Sequence, residues 1–515
     1  MGDVLAEAID NAAQCAPRLF RGRRRLVSAP VALDAAHVCD VVAAAKASAA
    51  MTLSDCSYLH SYFLGDQPVR SKENPTRPEI NNVVVENRAY QICKDRTDAL
   101  VGAPVAYSPA GEAGGAHGDV SEGTDDAASH AVQLLNRLCS AAGKQACDLE
   151  LVQWACECGV GYRLVLPSPE LAGDEAPEAP FTVHALDPRS TFVVYSDDVR
   201  REPMYAVTTV TDEQRSTVDT VYTPSREFVI RDGRLASEAA NPMGAVPIVE
   251  YELNSERMGV FEAVLSLLDA INTVESSRVD GVQQFVQSLL VLENVDIDSE
   301  EFEELKRTGC IKVSSTDGVK ANIQLLTSEL NQDQVQTLVD SMYRTVLSIC
   351  GMPFNVGGSG STSDTGAAVT MRDGWSNSES RCKETEAYFT RSERRFLSLA
   401  LRVARTAYPE LSGLAASAVE VKFTRSNHEA IQSKAQVLTT LLGSGRVHPR
   451  LAFAASDIWS DPERAYDLSE AYVAQQRALA PQPTATSGQP ADGEEGTTGG
   501  VTAKGDGEAT PGIKA

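Results

Sequence analysis

Apolar residues in the second half of the chain recur at helical spacing. Between Asn331 and Cys350, Leu338, Met342, Val346 and Ile349 fall three or four residues apart, which predicts a helix with one apolar stripe. Gly351 and Pro353 end it. A second helical pattern runs from Ala367 to Tyr408, with a kink or break expected at Asp373-Gly374. A third covers Gly259 to Leu290. Its residues Val264, Leu267, Leu268, Ile271 and Val274 leave little polar surface, so a single helical neighbour would not cover it. A domain core would cover it, and so would neighbouring subunits. Between these helices, Val291 to Leu330 is predicted as a small α+β insertion. It contains a charged helix from Ser299 to Thr308 and strand-like runs at Ile311–Val313 and Ile323–Leu325.

Earlier in the chain the period shortens from helical spacing to two. Tyr162–Leu166, Phe181–His184, Thr191–Tyr195, Met204–Val210, Thr220–Tyr222 and Glu227–Ile230 are short β-type runs separated by Pro, Gly and Asp. They predict a β-rich layer over 159–251. Residues 1–50 are alanine-rich and expected to be helical, followed by a short aromatic segment from Tyr58 to Gly65. Ile80 to Leu100 reads as strand then helix, Ser108 to Ala128 as an exposed loop, and Ala131 to Cys158 as helix. Leu411 to Phe423 reads as loop and strand, with helices at Glu429–Leu442 and Asp461–Leu479 around the Gly-Ser-Gly turn at 443–445. Past Ala480 the chain is rich in Pro, Gly and Thr and is expected to be disordered.

The 515 residues carry 46 Lys and Arg against 71 Asp and Glu, a net charge of −25. Tight duplex binding needs a basic surface that displaces counterions, so this composition argues against a protein that clamps DNA. It leaves room for one that surrounds DNA loosely. The eleven cysteines are scattered. Cys156 and Cys158 lie closer than the usual zinc spacing and no second pair matches them, which favours buried free thiols. The basic run Arg21-Gly-Arg-Arg-Arg25 has two readings, a nucleic-acid patch and, as the commoner case, a solvated arm. No stretch is apolar enough for a membrane helix or signal peptide, so the expected compartment is cytoplasm-like.

The stretch Phe354–Gly366, between two predicted helices, has three readings: a phosphate cradle, a hinge, or a loop presented into a channel. A phosphate loop needs a lysine after its glycines on a turn that follows a strand, and neither condition holds here. No ordered nucleophile–base set or metal cluster is visible, so neither catalytic residues nor cofactors are expected.

Taken in order, several segments together resemble the portal proteins of tailed bacteriophages, in the siphophage family typified by a Bacillus phage portal. They are Tyr62-Phe-Leu-Gly65, Asn81–Ala89 running into Val101-Gly-Ala-Pro-Val105, and Cys158-Gly-Val-Gly-Tyr162. Leu186-Asp-Pro188 with Thr191–Tyr195 and Glu202-Pro-Met-Tyr-Ala206 follow. The most specific is Val246-Pro-Ile-Val-Glu-Tyr251 leading into Gly259–Asn272, and the last is Thr365-Gly-Ala-Ala368. Two departures stand out. Thr370-Met-Arg-Asp-Gly374 lacks the basic, helix-favouring run usual in the family, and 108–128 looks like an insertion.

The resemblance implies an α+β portal fold assembled as a ring of twelve copies at one capsid vertex. Residues 1–255 would form the first part of the wing, 259–290 a stem helix, 291–330 the clip and 331–350 the second stem helix. Residues 351–366 would be the tunnel loop, 367–424 the kinked wing helix and following strand, 425–479 the crown and 480–515 a disordered tail. The channel-facing residues would be Phe354, Asn355, Val356, Gly357, Gly358, Ser359, Gly360, Ser361, Thr362, Ser363, Asp364, Thr365 and Gly366. Glu300, Glu301, Glu303, Glu304, Lys306 and Arg307 would make the docking surface for the terminase large subunit and later for a head-completion adaptor. The other implied partners are double-stranded DNA in weak, non-specific contact, and the major capsid and scaffolding proteins. The resemblance further implies assembly in the host cytoplasm and residence in the virion, as the channel for DNA packaging and ejection. The rival reading is a soluble helical scaffold or adaptor without a DNA channel.

Overall fold

The computed structural model describes residues 22–31, 33–75, 77–110, 122–169, 177–286, 289–293, 322–326, 332–353, 375–424, 430–456, 458–459 and 462–479. Helices and sheets are layered in an α+β arrangement. Thirteen strands are formed among the described residues: β1 (Leu26–Ser28), β2 (Ala106–Pro109), β3 (Val160–Pro167), β4 (Phe181–Leu186), β5 (Thr191–Ser196), β6 (Pro203–Thr211), β7 (Thr217–Tyr222), β8 (Arg226–Arg231), β9 (Arg234–Ala240), β10 (Ile248–Glu252), β11 (Leu289–Glu293), β12 (Asn322–Leu326) and β13 (Val419–Lys422). The helices are α1 (Val38–Phe63), α2 (Arg88–Val101), α3 (Glu122–Ala141), α4 (Lys144–Cys158), α5 (Leu265–Val286), α6 (Gln332–Cys350), α7 (Trp375–Ala407), α8 (Ala430–Gly443), α9 (Pro449–Ser456) and α10 (Pro462–Leu479).

The largest sheet runs β1-β5-β6-β7-β8-β9, antiparallel except for the parallel β1–β5 pair. Alternation of side chains along β5 sends Phe192 and Val194 to one face and Val193 and Tyr195 to the other. The first pair meets Val38, Val42, Ala45 and Ala49 of α1. The second meets Val160, Tyr162, Leu164 and Ile248 from the three-stranded sheet β10-β3-β4. Strands β5 and β10 are therefore buried on both faces. The far side of the three-stranded sheet joins the main core, where Val165, Phe181, Val249 and Tyr251 pack with Phe389, Phe396, Leu397 and Ala400 of α7. With 33 residues, α7 is about 50 Å long and lies across this layer.

Several boundaries differ from the sequence reading. The segment 81–87 is extended but is no strand, because its amides bond to side chains of α5 (below). The aromatic segment at Tyr58–Phe63 is the last turn of α1. The predicted helix over 131–158 is two helices parted at Gly143, whose φ of 70° a side chain would strain. The loop expected at 108–128 shrinks at both ends, since Ser108 and Pro109 lie in β2 and α3 begins at Glu122. The long helix expected from Gly259 starts as a 3-10 turn at Glu262–Val264, and Leu289 already belongs to β11. β1, β2, β9, β10 and α9 have no counterpart among the predicted runs. Leu338 and Ile349 do not share the buried face of α6, which consists of Val339, Val346 and Cys350 with Met342 and Tyr343 partly covered.

Candidate functional site

The helices expected to carry the function, α5 and α6, pack antiparallel. Arg278 in the second half of α5 donates from Nε to Gln332 Oε1 (2.6 Å) and from Nη1 to Gln336 Oε1 (2.7 Å) at the start of α6. The far end of α6 lies against the 3-10 turn before α5. The antiparallel pair β11–β12 lies between them in sequence, with Leu289 opposite Leu326.

α5 is gripped along one polar line. Asp269, Asn272, Ser276, Asp280 and Gln283 fall three or four residues apart, and so line up on one side of the helix. Asn272 and Ser276 are wholly buried. The extended segment beside them offers alternate amides. Asn82 N donates to Asp280 Oδ1 (2.6 Å), Val84 N to Ser276 Oγ (2.9 Å) and Glu86 N to Asn272 Oδ1 (2.8 Å). Lys72 Nζ donates to Asp280 Oδ2 (2.5 Å), Asn82 Nδ2 to Gln283 Oε1 (2.6 Å), and Tyr62 Oη to Asp269 Oδ1 (2.8 Å). Burial raises the Asp269 carboxyl, whereas Lys72 and the Asn82 donors outweigh burial at Asp280 and lower it. The sequence reading missed this seat. Its signal was a polar stripe inside an apolar helix, facing a segment whose residues alternate.

The N-terminal end of α5 is fixed by a second ionic group. Arg23 Nη2 donates to Glu262 Oε1 (2.5 Å), and Glu262 Oε2 accepts from Gly259 N (3.1 Å). Arg257 pairs with Glu250 and with Glu252 (2.7 Å), Arg25 pairs with Glu252, and Arg391 of α7 reaches Glu252 Oε2 (2.5 Å). The run at 21–25 is therefore no free arm within its described residues: Arg23 is buried and Arg25 half-buried. Gly159 (φ 80°) ends α4 against this turn, and a Cβ there would lie 2.2 Å from the Arg257 carbonyl oxygen. That close approach accounts for glycine in the Cys158–Tyr162 motif.

A neutral ion cluster lies deeper, where α7 crosses the three-stranded sheet. Arg163 of β3 donates from Nη1 to Glu393 Oε1 (2.7 Å) and Tyr251 Oη (2.6 Å), and it pairs with Asp148 of α4. Lys144 Nζ reaches Asp148 Oδ2 (2.6 Å) and Glu393 Oε2 (3.5 Å), and Tyr107 Oη donates to Glu393 Oε2 (2.6 Å). Burial alone would raise the Glu393 carboxyl, yet Lys144, Arg163 and the Tyr107 hydroxyl hold it down to about 2. Five elements, β2, α4, β3, β10 and α7, meet in this one cluster.

The C-terminal end of α6 is sealed by Arg96 of α2. Its Nη2 donates to the Cys350 carbonyl (2.7 Å), and its Nη1 lies 3.4 Å from Cys382 Sγ on α7. Met352 N returns to Leu347 O (2.8 Å) around Gly351, whose φ is 64°. An adjoining cavity of about 180 Å³ touches Arg96, Glu256, Met258, Arg381 and Glu384. That is below the roughly 300–1,000 Å³ usual for small-molecule sites.

Phe354 to Gly366 and the six docking residues from Glu300 to Arg307 lie outside the described residues. The helix expected over 299–308, the strand at 311–313, residues 367–374 and the tail past 480 lie outside them too. What the structure brings together is the frame on either side: the ends of α6 and α7, and the β11–β12 pair. On α5 and α6, Val279, Val282, Leu338 (51% exposed) and Ile349 (46%) are bare. Nine cysteines are described and all are free. Eight are buried and Cys39 is half-buried. Among the described residues no helix is long and apolar enough to cross a membrane, and no group of three His, Cys, Asp or Glu side chains is placed to hold a metal ion.

Residues 46–472 match the protein family described as phage portal protein, SPP1 Gp6-like. The portal protein of Bacillus phage SPP1 is 26% identical over 117 residues, covering 22% of this chain and 23% of that protein. The match thus spans under a quarter of that relative's length. Among solved structures, a chain from the neck of a native gene transfer agent particle, computed with C12 symmetry, superposes with a TM-score of 0.38. It is 11% identical and covers 74% of this chain and 92% of its own. A chain from the virion of a native gene transfer agent particle gives 0.38 at 13% identity, over 79% and 94%.

Proposed function

Because the chain belongs to the SPP1 Gp6-like family of phage portal proteins, we propose that its copies close into a ring at one vertex of a virion capsid, with double-stranded DNA passing through the centre. The observation that supports this best is the uneven covering of α5 and α6. One side is gripped by a polar seat while Val279, Val282, Leu338 and Ile349 lie bare. Repeated contacts of one face with a different face of the next copy close a ring when the rotation closes. On this reading α5 and α6 form the stem, residues 291–330 the clip, 351–366 the tunnel loop, and 1–255 with 367–424 the wing. The role is mechanical: the ring guides, retains and releases DNA that a separate terminase moves. A net charge of −25 suits a bore that must not brake a sliding duplex.

Negative-stain microscopy of the purified chain should show rings with a central hole, and particles without one would favour the adaptor reading. Within rings, stiffening the loop with Gly358→Pro and Gly360→Pro should leave assembly intact but stall packaging. Normal packaging by such rings would remove the loop from the channel. For the clip, reversing charge with Glu303→Lys and Glu304→Lys should weaken terminase binding in pull-downs while rings still form. Unchanged binding would move the docking surface elsewhere.

A further inference from the structure

The second half of α7 carries a row of positive charge that the rest of the chain leaves largely unanswered. Between Ala387 and Ala407 the helix holds Arg391, Arg394, Arg395, Arg402 and Arg405, and its one acid there is Glu393. Glu393 is buried and already pairs with Arg163 and Lys144. At about 100° per residue, the five arginines fall within one face roughly 100° wide, with Ser398 between them. All five are exposed, and from Arg391 to Arg405 they span about 21 Å of helix.

Few counter-charges reach this face. Glu252 meets Arg391, but it also pairs with Arg25 and Arg257. Arg402 donates to the Met243 carbonyl, and Arg405 to those of Leu411 (3.2 Å) and Leu414 (2.5 Å), which answer their hydrogens and not their charge. Arg394 and Arg395 form no ion pair among the described residues. Glu410 and Glu178, close in chain to the Tyr408–Pro177 hydrogen bond at the end of the helix, pair with none of the five. Toward the helix start the same line meets Glu384, which is matched by Arg381 (3.3 Å), and Lys383 there is matched by Glu379 (3.4 Å).

The chemistry of the face selects its partner. From Asn377 to Ala407 no large apolar side chain is exposed. A protein partner meets an apolar centre, whereas a duplex meets a polar and strongly positive surface. Arginine also holds a phosphate through two parallel hydrogen bonds, and about 21 Å of duplex axis presents roughly twelve phosphates. We infer that the α7 row is a contact site for double-stranded DNA outside the channel, held through its phosphates and indifferent to sequence. The inference rests on the ring reading, in which α7 belongs to the wing, and adds where so acidic a chain can hold a duplex.

The test uses relaxed, covalently closed plasmid, which cannot thread a closed ring and so reports only the ring's outer surface. Wild-type rings should retard it at about 50 mM salt and release it as salt rises. Arg394→Gln with Arg395→Gln should leave the rings intact and weaken plasmid binding about tenfold. The slope of log affinity against log salt should flatten by about 0.9 for each phosphate contact removed. As a control, Arg226→Gln with Arg231→Gln takes the same charge from β8, where both arginines are exposed and paired, and should bind plasmid like wild type. Rings that ignore the plasmid overturn the inference and leave the row to an acidic protein. Undiminished binding by the α7 variant overturns it too, as does equal weakening by the β8 control. An α7 variant that no longer closes rings makes the row a contact between copies, which also overturns it. Each of these outcomes leaves the ring reading standing. A wild-type chain that forms no rings sinks both.

Discussion

Glu393→Gln should destabilise the protein by about 3–5 kcal/mol, the largest effect expected of any single substitution in the described residues. Removing one partner of a buried ion set leaves the others charged and unanswered. Here Arg163 and Lys144 would keep only Asp148 as a counter-charge. The loss should appear as a lower thermal midpoint and faster proteolysis of the two-sheet layer. A pH series separates this from simple loss of packing. The folded Glu393 carboxyl titrates near 2, below its ordinary 4.5. A depressed carboxylate contributes stability that is fully present above the ordinary value and is lost as pH falls through the folded one. Wild type should therefore lose stability between about pH 4.5 and 2, and the variant should lose less across that window. A variant within about 1 kcal/mol of wild type would show that water already screens the cluster.

Arg96→Met should unfasten the end of α6 while the two-sheet layer stays folded. The last carbonyls of a helix carry partial negative charge, and a buried cation there contributes up to about 2 kcal/mol. The charged hydrogen bond to Cys350 O is that same interaction seen locally, on the order of 1.5–3 kcal/mol, and is not added to it. Because Arg96 also touches Cys382, its loss frees both flanks of the segment 354–374. Hydrogen exchange should quicken at the Ser348–Met352 amides and stay unchanged in β5 and β10. Arg96→Lys keeps the charge but cannot bridge both partners, so partial protection is expected. Equal exchange in wild type and Arg96→Met would mean that the turn at Gly351 holds the helix end by itself.

Local order was legible where the sequence pattern and the packing agree. Thr191–Tyr195 is β-branched and aromatic between turn residues, and it became a central strand buried on both faces. β9 escaped notice because Ala236, Glu238 and Ala239 alternate nothing; the strand exists through its hairpin. The Asp232-Gly233 turn, with φ of 47° and 76°, was the signal that could have found it. The apolar stripe of α6 was chosen one position off, because Leu338 and Ile349 obey helical spacing as well as Val339 and Cys350 do. Nothing local tells which stripe the rest of the chain will cover. The ion clusters were out of reach for a different reason. Arg163 and Glu393 lie 230 positions apart, and the Arg23–Glu262 pair spans 239. A run of arginines in isolation is indistinguishable from a solvated arm.

The grip on α5 also behaves like a vernier. Four residues of helix advance about 6 Å and two residues of extended chain about 6.6 Å. The steps from Asp280 to Ser276 to Asn272 therefore nearly match those from Asn82 to Val84 to Glu86, running in opposite chain directions. The mismatch of about 0.6 Å per step is absorbed over three pairs and grows with each one added, so the seat has a natural length. A helix held on such a scale cannot creep. It keeps all three bonds or gives up at least one by slipping a full turn, and deleting one residue from either scale throws the marks on the two sides of the deletion out of register with each other.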